Sequence, residues 1–398
     1  MSSTSVWRAP GMPALVGMTA LGFSGYCALL PVAPLWAVHG GAGAGGAGLV
    51  NGVFMLFTVL TQLFVPASLR RFGWAPVFVT GMVLLGAPAL LYLASDDLTA
   101  ILLLSAVRGM GFGVLTVTGS AAVAELVEPA RRGAAIGAYG LAVALPQVFL
   151  LPVGPWVAEN LGFWVVFAVS ACPLLGSVPA VVLARTLRDL PQEGAEHVGE
   201  GLAHGRWATY VRLLRPMVLL LGVTLAGGAL ITFTPQMSSS PAATTAALVL
   251  LTGAAALSRW RFGSLADRYG AQSFLWPLVV LLVVGMALTA WAVRDSEATV
   301  VVGLLAGLAV VGVSYGGLQN LTLVVSFGTV PRRDYDVASA VWNIGFDAGT
   351  GLGSVLVGAI AAGTSFPVAL LAAGGFSLAT LPLALLRPRP GRGPRERG

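Results

Sequence analysis

Residues 298–328 read ATVVVGLLAGLAVVGVSYGGLQNLTLVVSFG, an apolar stretch without a charged side chain. A helix that crosses the hydrocarbon core of a bilayer needs roughly 20 mostly apolar residues, so this stretch is long enough to span it. Eleven further stretches have the same character. They lie at about 12–38, 47–68, 75–94, 99–126, 134–157, 162–184, 216–237, 242–262, 272–293, 337–361 and 365–386. The sequence therefore predicts a polytopic membrane protein with twelve transmembrane segments.

The composition excludes an ordinary soluble domain. Hydrophobic residues make up 57% of the 398 residues and charged residues only 10%, whereas soluble domains carry roughly 25% charged residues. Glycine is abundant, at 52 residues, and small residues let transmembrane helices pack closely. Membrane-spanning strands would alternate apolar and polar residues, which these continuous stretches do not. The predicted fold class is therefore all-α.

The basic residues indicate how the chain is threaded through the membrane. All of them are arginines, and an N-terminus in the cytoplasm places every arginine except Arg108 and Arg294 in cytoplasmic segments. Cytoplasmic loops of membrane proteins carry such an excess of positive charge. We therefore predict a multi-pass protein of the cell membrane with both termini in the cytoplasm. The arginines form no basic stripe with interleaved aromatic residues, so we predict no nucleic-acid partner.

A composition shift divides the chain into two halves. Residues 185–215 are polar and contain several acidic residues and arginines, which predicts a cytoplasmic linker. An N-terminal six-helix bundle at 1–184 and a C-terminal six-helix bundle at 216–386 flank it. The tail at 387–398 is rich in proline, glycine and arginine, which predicts disorder.

The two halves resemble each other in sequence. After a shift of about 203 residues, residues 108–113 lie over 311–316, and residues 133–140 lie over 336–343. The shared positions are mostly glycine and alanine. Internal duplication is typical of transporter folds, so we expect the two bundles to be pseudo-symmetric.

Three short motifs carry a resemblance to a known family. Residues 263–270 read GSLADRYG, which is similar to the G-x-L-a-D-r-x-G loop motif of the major facilitator superfamily. Residues 108–113 read RGMGFG and resemble that family's R-G-x-G-x-G element, and residues 125–137, ELVEPARRGAAIG, also fit. The equivalent first-half loop at residues 66–73 is degenerate.

The resemblance implies a secondary transporter that works by alternating access, similar to the twelve-helix drug and metabolite exporters. It also implies a latch in the loop after the eighth helix, where a carboxylate would meet the N-terminal end of the fifth helix. Free N–H groups and the helix dipole favour a negative charge there. The alternative is a solvated turn. The predicted cytoplasmic gate comprises Asp267, Arg268, Glu125, Arg131 and Arg132.

Two charged residues lie inside apolar stretches, and we predict that they couple transport to protons. Asp347 stands about ten residues into the eleventh stretch, which places it near the bilayer midplane at 1.5 Å rise per residue. A carboxylate there is costly unless it is paired, protonated or hydrated. The alternative is a buried acid fixed by neighbours such as Asn343. Arg108 lies at similar depth. Its possible roles are to pair with a carboxylate, to modulate the proton site, to contact an anionic substrate, or to hold helix carbonyls of its own half.

Polar and aromatic residues within the apolar stretches are candidates for a substrate cavity, and helix–helix hydrogen bonding is their alternative role. As a set they describe a mostly apolar cavity with amide and aromatic groups, which suits a moderately hydrophobic solute. The candidates are Tyr26, Asn51, Gln62, Tyr139, Gln147, Tyr315, Gln319, Asn320, Trp342 and Asn343.

The predicted function is proton-coupled export of a small, moderately hydrophobic molecule by a monomeric transporter whose partners are its substrate, protons and the bilayer. An importer or uniporter of a small nutrient is the alternative, and a non-transporting membrane sensor is a further one. A membrane enzyme would need paired His, Asp or Glu side chains at one depth, which we do not find. Cys27 and Cys172 have no disulfide or metal spacing, so no cofactor and no metal are expected.

Overall fold

The computed structural model describes residues 9–126, 132–189, 207–295, 299–331 and 334–386. These residues form fifteen α-helices and no strand. The helices are α1 (Met12–Leu29), α2 (Val32–His39), α3 (Ala44–Phe72), α4 (Trp74–Leu91), α5 (Leu98–Leu126), α6 (Arg132–Asn160), α7 (Phe163–Ser170), α8 (Pro173–Asp189), α9 (Trp207–Phe233), α10 (Pro241–Tyr269), α11 (Gln272–Ala292), α12 (Val301–Thr329), α13 (Tyr335–Gly363), α14 (Phe366–Leu378) and α15 (Leu381–Leu385).

Within those residues, twelve helical spans are long and apolar enough to cross a membrane. This confirms the predicted number of transmembrane segments and the all-α class. Three spans are interrupted, between α1 and α2, between α7 and α8, and between α14 and α15. A proline lies at or next to each second start, at Pro31, Pro173 and Pro382. Proline cannot donate a backbone hydrogen bond, so it is tolerated at a helix start and breaks a helix interior.

Several helices run further than the apolar stretches suggest. The polar segment at 185–215 is helical at both ends, because α8 continues to Asp189 and α9 begins at Trp207. Arg215 lies inside α9, where its guanidinium donates to the backbone oxygens of Leu383 and Leu386 and to Gln272. The linker boundaries and the tail at 387–398 stay predictions, and residues 190–206 and 387–398 lie outside the described part of the chain.

The largest difference concerns the motif at residues 263–270. It was expected in a loop, but α10 continues through it to Tyr269 and ends at Gly270, whose φ of 81° stops the helix. Gly263 does not break the helix, because one glycine inside a helix costs only about 1 kcal/mol. Arg259, which the charge pattern assigns to the cytoplasmic side, lies within the eighth candidate membrane span, Pro241–Ala266.

The helices assemble into an N-terminal half, α1–α8, and a C-terminal half, α9–α15, as predicted. Within the halves, α3 packs on α5 and α10 packs on α12. The halves are joined mainly by α3 with α13 and by α6 with α10, and α3 also contacts α9. The outer surface is apolar: the side chains of Val302 and Trp260 are 77% and 72% exposed, as expected for helices that face lipid.

The halves are packed most tightly where α3 begins and α13 ends, which we call the closed end. A β-carbon on Gly48 would lie 2.2 Å from the Ser354 carbonyl oxygen, and one on Gly358 would lie 2.7 Å from that of Ala44. Only glycine permits such an approach of two helix backbones at these positions. The closed end is therefore built from the glycines on α3 and α13.

Candidate functional site

Asp347 on α13 and Gln62 on α3 meet between the two halves. The Gln62 amide nitrogen donates to the Asp347 carboxylate at 2.7 Å, and the two side chains are 6% and 5% exposed. The same nitrogen donates to the Thr116 hydroxyl at 3.2 Å. The intramembrane carboxylate predicted from the sequence is thus tied to the opposite half by one amide group.

Glycines on α13 let this helix pack closely on α9 around Asp347. A β-carbon on Gly349 would lie 1.9 Å from the Thr224 hydroxyl oxygen, and one on Gly345 would lie 3.0 Å from the Met217 side chain. The expected neighbour Asn343 does not contact the carboxylate. Its amide donates instead to the backbone oxygen of Ser339, one turn back in the same helix.

Arg108 lies on α5 and is held entirely by its own half. Its guanidinium donates to the backbone oxygens of Leu85 at 3.2 Å and Gly25 at 2.8 Å. It lies 5.7 Å from the centre of the Phe54 ring and interacts with the Tyr92 hydroxyl. Arg108 is 2% exposed, and no ion pair with Asp347 occurs among the described residues. The two predicted proton-coupling residues are therefore not paired in this structure.

An aromatic cluster of Phe23, Tyr26, Phe54 and Phe112 lies on the N-terminal side of Asp347. Tyr26 stacks on Phe112 with ring centres 4.0 Å apart and planes 14° apart, and it stacks on Phe54 at 5.7 Å. Tyr26 also lies within electrostatic range of Asp347 and Tyr315. The cluster places an apolar wall next to the carboxylate.

The C-terminal half contributes a polar group that the sequence only partly revealed. On α12, the Gln319 side-chain oxygen accepts a hydrogen bond from the Arg259 guanidinium. The Asn320 amide donates to the Arg259 backbone oxygen at 2.7 Å. Tyr315, one turn before Gln319, lies within electrostatic range of both Arg259 and Asp347. Arg259 was missed because it was counted with the cytoplasmic arginines, although it lies inside the predicted stretch 242–262. Its position within that stretch was the signal that could have revealed it.

Asn51 has a different environment from the other cavity candidates. Its amide donates to the Leu30 backbone oxygen and to the Thr232 hydroxyl, both at 2.9 Å, and Thr232 in turn bonds Ser354 at 2.8 Å. These contacts link the halves at the closed end. Asn51 is 3% exposed, so in this structure it serves helix–helix bonding.

The remaining cavity candidates lie on two helices, α6 and α13. The Trp342 indole on α13 donates to the Thr322 hydroxyl at 3.2 Å. Tyr139 on α6 is partly buried and lies next to Gly119 of α5, and Gln147 on the same helix is also partly buried. Their contribution to a cavity stays a prediction.

The predicted gate is only partly described. Glu125 and Arg268 are exposed at the ends of α5 and α10. Arg131 and the side chains of Arg132 and Asp267 lie outside the described part. The gate therefore stays a prediction. In the described ranges, no group of three His, Cys, Asp or Glu side chains is arranged to hold a metal, and Cys27 and Cys172 are free thiols.

Comparison with known proteins agrees with this architecture. The family model of the Major Facilitator Superfamily matches residues 14–322 and 217–398. The structure is similar to a bacterial homologue of the human lysosomal transporter Spinster in an inward-facing, unoccupied conformation, with a TM-score of 0.73, 14% identity, and 96% and 97% of the two chains covered. It is also similar to the nucleoside transporter NupG, with a TM-score of 0.65, 13% identity, and 95% and 100% covered.

At this low identity, the structural similarity shows a shared fold. A comparison with curated protein sequences found no match. The family model covers nearly the whole chain, and the twelve spans agree with it. This chain belongs to the major facilitator superfamily.

Proposed function

We propose that this transporter exports a small, moderately hydrophobic molecule in exchange for protons, by alternating access of the site between its halves. The observation that carries the proposal is the bond between Gln62 and Asp347, which joins the halves through the one acidic side chain buried in the described membrane spans. Aromatic side chains lie on both sides of the site, Tyr26, Phe54 and Phe112 in one half and Trp342 and Phe346 in the other, which suits a moderately hydrophobic solute.

Protonation of Asp347 changes this link between the halves. A charged carboxylate accepts a strong, charge-assisted bond from the Gln62 amide. A protonated one is neutral, and its bond to an amide is roughly half as strong. An intramembrane carboxylate is also costly to keep charged when its site opens or loses its partner. Proton binding to Asp347 therefore weakens its bond to Gln62 and favours a rearrangement of α3 against α13.

The position of the closed end supports an inward-facing conformation in the proposed transport cycle. With the N-terminus in the cytoplasm, as the arginine pattern predicts, the closed end faces outward and the site is reached from the cytoplasm. The similar Spinster homologue is described as inward-facing, which is consistent with this assignment. Export then requires that the contacts of Gly48 and Gly358 separate while the opposite end closes.

The proposal is tested with the purified protein in liposomes under an imposed pH gradient. A panel of naphthalene compounds with neutral, cationic and anionic groups serves as substrate, and a trapped pH dye reports proton movement. We expect at least one compound to move against its gradient in exchange for protons. Asp347→Asn should abolish this accumulation and leave counterflow, which needs no proton. Asp96→Asn, at an exposed acid outside the spans, is the matched control.

Accumulation by Asp347→Asn at the wild-type level would overturn the role of the carboxylate. The direction of proton movement relative to the compound decides between exchange and import, which is the alternative function. A nucleoside belongs in the panel because the similar NupG is described as a nucleoside transporter.

A further inference from the structure

We propose that Arg259 and Gln319 form the binding site for the carboxylate of an apolar organic acid, the solute that this protein transports. The inference rests on the proposed function in that it names the chemical class of the substrate. It is carried by Arg259, Gln319 and the aromatic side chains next to them, and Asp347 is not part of it.

Arg259 is an intramembrane cation without an acidic partner in the described structure. Its helix position lies inside the eighth span, and its side chain is partly buried. No carboxylate of the described residues lies within 4.0 Å of its guanidinium. Arginine stays charged in proteins and offers five N–H donors. An arginine at membrane depth marks a substrate pathway when no protein group neutralises it.

Gln319 supplies a second donor at the same place. Its side-chain oxygen accepts from Arg259, which fixes the orientation of the amide because that oxygen is its acceptor atom. The amide nitrogen then makes no hydrogen bond of normal geometry among the described residues, although Gln319 is 3% exposed and interacts with the Tyr315 side chain. A buried donor left unsatisfied costs about 1–3 kcal/mol. A ligand oxygen would remove this cost.

The two donors match one carboxylate. Arg259 and the Gln319 nitrogen are neighbours, so together they present N–H groups to two oxygens of one planar group. The single positive charge balances a monoanion. A phosphate monoester has about two negative charges and would need a second cation. Arg261 of the same span is exposed, and Arg108 is engaged by backbone carbonyls of its own half.

The aromatic side chains near this pair indicate the rest of the solute. Phe346 lies between Tyr315 and Trp342, with ring centres 6.3 and 5.6 Å away, and the Trp342 and Phe346 rings are nearly parallel. Tyr315 interacts with the Gln319 side chain itself. An acid with an aromatic body would place its ring against these side chains while its carboxylate reaches Arg259. The structure therefore favours an aromatic acid over a small hydrophilic one.

The test compares two probes that differ in one group, 2-naphthoate and 2-naphthamide. The full chain is placed in nanodiscs of phosphatidylcholine, and binding is measured by equilibrium dialysis. We expect wild type to bind naphthoate at least about tenfold more tightly than naphthamide, as one charge-assisted contact would give. Arg259→Gln should abolish the preference, and Arg259→Lys should retain part of it. Arg261→Gln, at an exposed arginine of the same helix, should behave as wild type.

Equal affinity for the two probes, no naphthoate binding at millimolar concentration, or an unchanged preference in Arg259→Gln would overturn the proposal. If Arg259→Gln does not fold, Gln319→Met replaces it and should reduce the preference several-fold. Nanodiscs with phosphatidylglycerol test whether an anionic lipid occupies the site, in which case naphthoate binding would fall and the proposal of a soluble acid would fail. Asp347→Asn should keep the preference while it loses proton-driven transport, so the two proposals fail separately.

Discussion

Arg108 and Arg259 are arginines within membrane spans of the two halves, and they differ in exposure and in hydrogen-bond partners. Arg108 is 2% exposed and donates to two backbone oxygens on different helices, α1 and α4. Arg259 is only partly buried, and its side-chain partner is Gln319, whose own donor is unsatisfied. Arg108 is held by backbone oxygens and Tyr92, whereas the described side-chain bond of Arg259 goes to Gln319 alone.

The comparison shows why depth and charge alone do not assign a role. Both residues break the apolar pattern of their helices, and either one qualifies as a coupling or binding residue. The distinction lies in whether every donor is already used. In our proposal the arginine held by backbone oxygens joins helices, and the partly exposed one beside an unsatisfied amide binds the solute.

The largest expected effect separates the two arginines by stability. Arg108→Gln removes the donors to Gly25 and Leu85 and leaves these buried carbonyl groups, and Tyr92, without their cation. Hydrogen bonds to charged groups contribute about 1.5–3 kcal/mol each, so the free energy of unfolding should fall by about 3 kcal/mol or more. Arg259→Gln should change it by less than about 1 kcal/mol, because its side chain satisfies only Gln319. Thermal unfolding in one detergent measures both.

An equal loss of stability in the two variants would contradict this contrast. The exposed-site variant Arg261→Gln provides the baseline. A larger loss in Arg259→Gln than in Arg108→Gln would make Arg259 a helix-joining residue and would weaken the case for a ligand.

The fold could be predicted from the sequence because each segment that crosses the bilayer must be long and apolar. Every span needs about 20 apolar residues, so the length of stretches such as residues 298–328 was enough to find the twelve helices. Asp347 was found for a related reason, since a carboxylate is rare within such a stretch. Helix ends were less visible, because lipid imposes no limit on how far a helix runs beyond the apolar core. That is how α10 came to include the motif at residues 263–270.

The contacts that the site residues make could not be predicted from the sequence. Gln62 and Asp347 are 285 residues apart along the chain, and only the packing of α3 on α13 brings them together. Asn343 is one helical turn from Asp347 and looked like a neighbour. Its side chain takes a rotamer that bonds its own helix instead. Such choices depend on the three-dimensional surroundings of each side chain.

A smaller effect is expected at Tyr92, which tests the Arg108 side of the comparison. Its hydroxyl bonds Ser105 at 2.9 Å and interacts with the Arg108 guanidinium. Tyr92→Phe removes these contacts but keeps the ring, so stability should fall by about 1 kcal/mol. The preference for naphthoate over naphthamide should not change. Tyr269→Phe, at an exposed tyrosine, is the control. A loss of the naphthoate preference in Tyr92→Phe would show that the two arginines are coupled.

The smallest effect is expected at Asn320, which tests the Arg259 side. The Asn320 amide donates to the Arg259 backbone oxygen and so ties α12 to the turn of α10 that carries the guanidinium. Asn320→Ala should cost no more than about 1 kcal/mol in stability, because that backbone oxygen also lies in a helix.

Binding should be more sensitive than stability at this position. Without the tether, Arg259 is less well placed beside Gln319, and naphthoate should bind a few-fold more weakly while naphthamide is unaffected. Asn160→Ala is the matched control, because this asparagine is exposed and its amide bonds its own helix at the Trp156 backbone oxygen. Equal weakening in the two variants would mean that the tether does not place the cation. A loss confined to Asn320→Ala would show that α12 both positions Arg259 and provides its neighbouring donor, as the site in the C-terminal half requires.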